Sequence, residues 1–489
     1  MKKKNLLYCI LLMQLLIALL LRSQTTFERT YGGIYYDSGN EVLESPNEGY
    51  IIIGTTRSVS NDTADAYVIR TDAAGDTLWT KIYGGDLWDS GIAICPASDD
   101  GYVLAIASDS FDPGNYDIYL VKINDTGDIL WTKTYGGPET DYVHSLQATA
   151  DGGYIILAHT LSFGEGSLDF YLVRVNQHGD TLWTKTYGGV ESDWGSAVQH
   201  TADGGFILGG DTRSFGNGEN DVYLIKTNTD GDTLWTRTYG GTEYDRAYHV
   251  IQASDNGYII AATTESFGAQ GQDCYLIKTN SAGDTLWTRV WGGPDGDRLI
   301  FVQPTSDGNY IATGYINTIG LGLSDVYLVK FNSDGIILWE RYFGGIEHDI
   351  GYCVRETSDG GFIVVGRTES FNAGNVTDVY LVKTDASGNV TGIRDCKNEV
   401  NVKSFVLNQN YPNPFNSFTK FFFSLPEAGL TSLRIYDLLG REMETLVNRY
   451  MKAGKYSTIW EVKDLPSGIY VSRLKSGKFC DTKKMIYQK

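Results

Sequence analysis

The chain has 489 residues, 40 basic and 60 acidic, for a formal net charge of −20. Its folded part carries no basic stripe, which argues against nucleic acid as a partner. Glycine supplies 57 residues, Tyr 33 and Trp 10 against only 10 Pro, a mixture that describes short strands and tight turns and excludes a disordered chain.

Lys2, Lys3 and Lys4 precede an apolar run from Leu6 to Leu21 that Arg22 ends. Positive charge followed by an apolar stretch shorter than the ~20 residues of a spanning helix reads as a secretory signal peptide, residues 1–23, with the mature chain starting near Gln24.

A repeat governs the chain from Tyr31 onward. Tyr31, Tyr83, Tyr135, Tyr187, Tyr239, Trp291 and Phe343 each precede a Gly-Gly pair and are spaced 52 residues apart. Asp37, Asp89, Asp141, Asp193, Asp245, Asp297 and Asp349 keep the same spacing, as do Trp79, Trp131, Trp183, Trp235, Trp287 and Trp339. In the copy cut from 183 to 234, four strand-length stretches alternate with turns: Leu182 to Tyr187, Ser196 to His200, Gly205 to Gly210 and Asp221 to Thr227. Gly188-Gly189, Gly204-Gly205 and Gly231 mark the joins, where positive φ is expected.

One such meander cannot bury both faces, so copies must stack. Seven copies fit the four to eight blades of a closed ring. The chain also opens on a lone strand, Phe27 to Tyr31, while the last copy loses its Trp at Gly388-Asn389-Val390-Thr391. That first strand is expected to complete the last sheet. The fold class is therefore all-β, a seven-bladed β-propeller of 52-residue four-stranded repeats over residues 25–393. Gly204-Gly205-Phe206 with Asp221-Val222-Tyr223 and Trp235 resembles a kelch-type blade. Asp230-Gly231-Asp232-Thr233-Leu234-Trp235 is similar to the Trp-docking phrase of quinoprotein-like propellers. The resemblance implies a fold and no particular activity.

A second acidic series, Asp65, Asp117, Asp169, Asp221, Asp273, Asp325 and Asp378, precedes a basic residue in each copy: Arg70, Lys122, Arg174, Lys226, Lys278, Lys330 and Lys383. A residue present in every copy is scaffold before it is site, so both Asp series are read as bonding turn backbones. The basic series is read as outward-facing. No cofactor is expected. Calcium has some footing in the loops holding Asp109, Asp112 and Asp117, and Asp295 and Asp297, without the order of an EF-hand.

Function is sought where copies differ. The positions flanking the first Asp series vary and fall in equivalent loops, hence on one face of the ring. From them come the candidate ligand-binding residues Tyr36, Trp88, Tyr142, Trp194, Tyr244, Arg246, Arg298 and His348. Aromatic and Arg side chains suit sugar or protein contact, although packing between blades accounts for the same aromatics. Catalytic signatures are missing: the six His stand in no zinc spacing, no Gly-x-Ser-x-Gly elbow occurs, and Cys95, Cys274 and Cys353 are scattered. A glycan-cleaving pair of carboxylates stays open among so many acids.

Composition shifts at the end. Residues 406–489 carry 13 basic and 7 acidic side chains against 23 and 53 in residues 23–405, which marks a separate module after a linker, residues 394–405. Strand-like runs at Phe421 to Leu425, Leu433 to Tyr436, Ser457 to Val462, Ile469 to Leu474 and Lys484 to Tyr487 describe a small Ig-like β-sandwich. Pro412-Asn413-Pro414-Phe415-Asn416, Gly440-Arg441, Trp460, Gly468, Tyr470 and Lys484 resemble the C-terminal sorting domain of type IX secretion, with Ser417 where many members have proline. The resemblance implies the type IX machinery as partner and a Gram-negative cell that exports the chain through its periplasm, to be released or held on its outer surface. Cys396 with Cys480 offers a bridge between linker and module.

The sequence thus describes a monomeric, non-catalytic glycan- or protein-binding propeller. The alternative is an extracellular polysaccharide hydrolase or lyase working in the propeller funnel.

Overall fold

A computed structural model describes residues 25–390 and 405–488, apart from residues 60–62, 100, 112–114, 270, 294, 318–322, 372–375, 411–412, 417, 452–453 and 463–464. The signal peptide, linker residues 394–404, Pro412, Ser417, Asp112 and Cys396 lie outside the described residues. The calcium reading of the Asp109–Asp117 loop and the pairing of Cys396 with Cys480 therefore rest on sequence.

From Phe27 to Thr384 the chain forms seven four-stranded antiparallel sheets, the blades of a β-propeller. In the fourth, Asp193–His200, Phe206–Thr212, Asp221–Thr227 and Thr233–Tyr239 pair in chain order. The Trp strand therefore ends a sheet instead of opening one, which corrects the 183–234 cut. Thr181–Tyr187 pairs back onto Asp169–Val175, and Gly188-Gly189 carries the chain across to the next blade.

Those two glycines are needed for space more than for positive φ. A Cβ on Gly188 would lie 1.7 Å from Asp169 Oδ1, and one on Gly189 2.8 Å from Ser214 Cβ. At Gly231 the expected conformation is present, with φ +79°.

Each blade presents two packed faces, so its third strand has no outside: Asp221–Thr227 is buried at every position. This overturns the outward reading of the basic series. Lys226, Lys278 and Lys383 are 3%, 2% and 1% exposed. Their ammonium groups pair with Asp203 (2.9 Å), Asp255 (2.7 Å) and Asp359 (3.0 Å) in the turn between the first two strands. Each also donates to the carbonyl of the next residue, Lys226 to Thr227 O at 2.8 Å. Arg70, whose turn lacks that Asp, donates to Ser45 Oγ and Glu48 O instead. In four turns the glycine before the second strand makes room for the cation: a Cβ on Gly153, Gly205, Gly257 or Gly361 would lie within 2.8 Å of Arg174 Nη1 or of the Nζ of Lys226, Lys278 or Lys383.

The ring closes as the sequence implies. Phe27–Tyr31 pairs with the last propeller strand in the register Phe27↔Lys383 to Tyr31↔Val379. Phe27 faces Lys383 as Trp235 faces Lys226. Between blades, Tyr83, Tyr135, Tyr187 and Tyr239 donate their hydroxyls to a glycine carbonyl in the last turn of the next sheet. Tyr31 makes the same bond to Gly75 O, 2.7 Å, from the last blade to the first.

Residues 405–488 form a three-stranded sheet, Val406–Leu407, Phe418–Leu425 and Gly454–Glu461, and a four-stranded sheet ordered Glu442–Met451, Gly429–Asp437, Gly468–Ser476 and Phe479–Tyr487. One core containing Phe415, Phe421, Phe423, Trp460, Tyr470 and Tyr487 joins them. Glu442–Met451 is a strand that the sequence pattern does not predict.

Candidate functional site

The first Asp series does what the sequence assigns to it. Asp245 Oδ2 accepts from Gly241 N (2.8 Å) and Ser266 Oγ (2.6 Å), tying the loop that enters a blade to the loop after its second strand. Asp37, Asp89, Asp141 and Asp349 hold the same two partners. The second series bonds turns as well, as in Asn217 N to Asp221 Oδ2 at 2.6 Å. One face of the ring is thereby fixed by buried carboxylates, and the variable residues stand on that frame.

The first strand of every blade lines a central channel of about 660 Å³, whose wall includes Asn40, His144, Tyr248 and Tyr352. Beside its mouth lies a hollow of about 320 Å³ between the fourth, fifth and sixth blades, lined by Tyr244, Arg246, Tyr248 and Arg298, with Glu219, Glu243 and Glu265 also in its wall. Tyr248 lines both, so the hollow adjoins the channel.

Three of the eight candidate residues meet there. Arg246 and Arg298 stack on Tyr248 at 5.2 and 6.0 Å, and Arg298 also on Tyr315 at 5.7 Å. Arg298 Nε donates to Gln272 Oε1 at 2.6 Å. A second group joins Tyr142 to Trp194 through a residue absent from the sequence-predicted set: Tyr142 stacks on His159 at 5.6 Å, and His159 meets Trp194 edge-on at 6.5 Å. Tyr36 accepts from Arg367 Nη1 at 3.2 Å. Trp88 stands apart, 42% exposed and stacked on Arg57 at 4.9 Å. His348 is a staple between blades, its Nδ1 2.9 Å from Ser324 Oγ.

His159, Asp211, Tyr315 and Arg367 belong to one column at the 52-residue period. They are the cross-strand partners of Tyr142, Trp194, Arg298 and Ile350. His144, Tyr248 and Tyr352 belong to a second. Both columns vary between copies, and that variation is the signal that would have found them.

Burial tunes the ionisable groups here. It pushes Asp211 up to about 6, against the pull of Arg246, whose Nε lies 3.2 Å away. Burial, then the field of Arg246, holds His159 down at about 4, and burial holds His144 well below the ordinary range. The two rings, 2.8 Å apart at Nε2 and Nδ1, are neutral at physiological pH. Among the described residues no three His, Cys, Asp or Glu side chains gather as a metal site requires. Asp297 is committed to Gly293 N and Asn317 N.

In the C-terminal module Asn413 docks on the last strand, accepting from Ile486 N at 2.7 Å. Phe415 and Tyr470 are buried. Gly440 turns at φ +78°, Arg441 pairs with Asp437 at 2.7 Å, and Pro414, Asn416 and Lys484 face solvent, with Gly468 half-buried.

Residues 409–488 match the secretion system C-terminal sorting domain. Among curated proteins, regulatory protein FlaEY of Caulobacter vibrioides is 22% identical over 214 residues, covering 37% of this chain. The match spans only 22% of that protein's length. Among solved structures, the β-propeller domain of the Trilobed protease from Pyrococcus furiosus is similar at a TM-score of 0.41 and 10% identity, covering 74% of this chain and 98% of that one. The Pan2 WD40 domain of Neurospora crassa is similar at a TM-score of 0.41 and 8% identity, covering 75% and 97%. The sorting domain implies type IX export, to secretion or the cell surface, and interaction with the type IX machinery.

Proposed function

We propose that the chain is a secreted or surface-held binding protein whose seven-bladed propeller, residues 25–393, takes a glycan or a protein segment at the channel mouth. In this reading the signal peptide delivers it to the periplasm of a Gram-negative cell, and the Ig-like module, residues 406–489, directs it across the outer membrane. It acts as a monomer.

The observation that carries the reading is a division of labour. The carboxylates that anchor the loops recur in copy after copy, while the side chains around the hollow and channel differ, as a single asymmetric ligand requires. A concave site of several hundred Å³, walled by aromatic rings with a few convergent polar groups, has the build of a ligand pocket.

The test is retention of a glycan and protein panel by the purified full chain, with new reducing ends scored in parallel. Retention lost in Tyr248→Ala and Trp194→Ala, with no reducing ends formed, is the expected outcome. Retention unchanged in both variants would refute the site. One observation favours a second reading, a hydrolase or lyase: burial pushes Asp211, which lies behind Arg246 of the hollow at 3.2 Å, up to about 6, in the range of a general acid. Reducing ends that vanish in Asp211→Asn would select it.

A further inference from the structure

Sites for neutral sugars need no cation, yet this mouth gathers three arginines on a strongly acidic chain. Arg246, Arg298 and Arg367 come from the fifth, sixth and seventh blades, and shared tyrosines link them. Tyr248 lies against Arg246 and Arg298. Tyr352 sits in the fields of both Arg298 and Arg367. Arg246 is answered by Asp211. Among the described residues Arg298 and Arg367 form no ion pair: Arg298 spends its Nε on a neutral amide, and Arg367 spends one Nη on the Tyr36 hydroxyl. Glu369 lies near Arg367 without pairing with it. Arg367 Nε is buried and has no hydrogen-bond partner among the described residues.

A half-buried guanidinium without a counter-ion is costly unless something supplies one, and its planar fork matches a carboxylate bidentately. Tyr248 and Tyr352, which line the channel wall beside these forks, offer aromatic surface that suits the apolar face of a pyranose. The hollow that Arg298 lines, about 320 Å³, and the channel that Tyr248 and Tyr352 line, about 660 Å³, are the size of small-ligand sites; a protein surface needs a broader contact, on the order of 1,000 Å². The exposed rim acids Glu219, Glu243 and Glu265 lie on the fourth- and fifth-blade side of the hollow. The columns of Glu243 and Glu265 place Asp295 on the sixth blade and Glu347 and Glu369 on the seventh, so a negative group would be received by the guanidinium forks inside an acidic rim. Glu265 accepts from Gln272 at 2.8 Å, the same amide that holds Arg298.

Resting on the binding reading above, we infer that the mouth recognises a carboxylate-bearing sugar, a hexuronate unit of an acidic glycan, through Arg298 and Arg367, with Tyr248 and Tyr352 as its stacking surface.

The probes are a galacturonate oligosaccharide, its fully methyl-esterified form, and an oligoglutamate peptide. They are titrated calorimetrically into the full chain and into Arg298→Gln, Arg298→Lys and Arg367→Gln, with thermal melts confirming folding. Expected are roughly tenfold or greater preference for the free acid over the ester, and a loss of the same order in each Gln variant. Partial recovery is expected in Arg298→Lys, which keeps the charge and loses the fork. Acid and ester bound equally, or folded Gln variants binding like the parent, would overturn the inference. Binding of the peptide in place of the sugar would overturn the sugar class. If the ester or another neutral ligand is retained and only Tyr248→Ala loses it, the anionic inference fails while the binding reading stands. If the parent retains no ligand of any class, both fail.

Discussion

Truncating Phe27 to alanine should open the ring at its seam, and the structure sets the size of the effect. Phe27 is 5% exposed and meets Tyr50 edge-to-face at 6.0 Å. Burying a Phe side chain stabilises by about 1.5–3 kcal/mol, and the ring pair adds about 0.5–1.5 kcal/mol. The strand it anchors has five residues paired with Val379–Lys383, plus the Tyr31 hydroxyl on Gly75 O and the Tyr380 hydroxyl on Glu28. At about 1 kcal/mol net per hydrogen bond, that ladder does not exceed the ~1–2 kcal/mol per residue needed to order the backbone. Phe27 therefore decides whether the strand stays down. Losing about 2–4 kcal/mol raises the population of the open seam roughly 30- to 700-fold. Hydrogen exchange read by mass spectrometry should show that increase at the amides of residues 379–383 and not in the fourth blade. Trp235→Ala, in a strand tethered at both ends, should leave the seam protected. Unchanged exchange at residues 379–383 in Phe27→Ala, or an equal rise in every blade, would refute the closure mechanism.

Two further outcomes rest on the buried charges. Asp255→Ala strands the Lys278 ammonium in the blade and should cost about 3–5 kcal/mol in urea unfolding. Lys278→Met leaves only a half-exposed carboxylate and should cost about 1–2 kcal/mol; two equal effects below about 0.5 kcal/mol would mean that the pair behaves as a surface one. Burial raises Asp349 and Asp378 to about 7 and Asp169 to about 6, so their contribution is full below their unfolded pKa of about 4 and is lost as pH rises through about 6 to 7. Asp203 is shifted the other way: burial raises it, but hydrogen bonds from Thr201 and Lys226 outweigh that and bring it to about 2, so its contribution is lost as pH falls through that value. Unfolding midpoints should therefore peak near about pH 4 and decline towards about pH 7; a midpoint that climbs steadily from pH 5 to pH 8 would contradict the assignment.

Periodicity makes the ring legible because each blade repeats its packing. The Tyr hydroxyl, the Gly-Gly pair and the anchoring Asp each do the same task wherever they recur, and a change in any one copy would be felt as a local defect. The pattern misleads where alternation implies an outside. Lys226 shares a strand face with Val222 and Leu224, and only the stacking of blades on both sides turns that face into interior. The strand Glu442–Met451 escapes the pattern because its outward residues are polar and its inward ones few, Val447 and Met451 among them. In the candidate site, the variable loops alone identify Tyr244, Arg246 and Arg298. They leave out Tyr248 and Arg367, whose strands look like scaffold. What the loop pattern does not supply is depth: whether a variable residue sits on the rim, as Trp88 does, or faces its neighbours across the channel.

The arrangement explains how one repeated unit can carry a single site without losing its frame. Each ring of identical residues takes up the same turns in successive blades, so substitutions in the channel columns change the lining and not the closure. Arg298 can occupy the position that Ser38 and Ser90 hold in the first two blades, because the Gly-Gly turn is kept and Asp297 still anchors Gly293 N, with Asn317 N in place of the serine hydroxyl of other blades. The same independence sets a limit, since a residue that must both line the mouth and hold two blades together is not free to vary for a ligand. His348 is such a residue, bridged to Ser324 across the blade boundary, and its place in the ring is structural even though its column is variable.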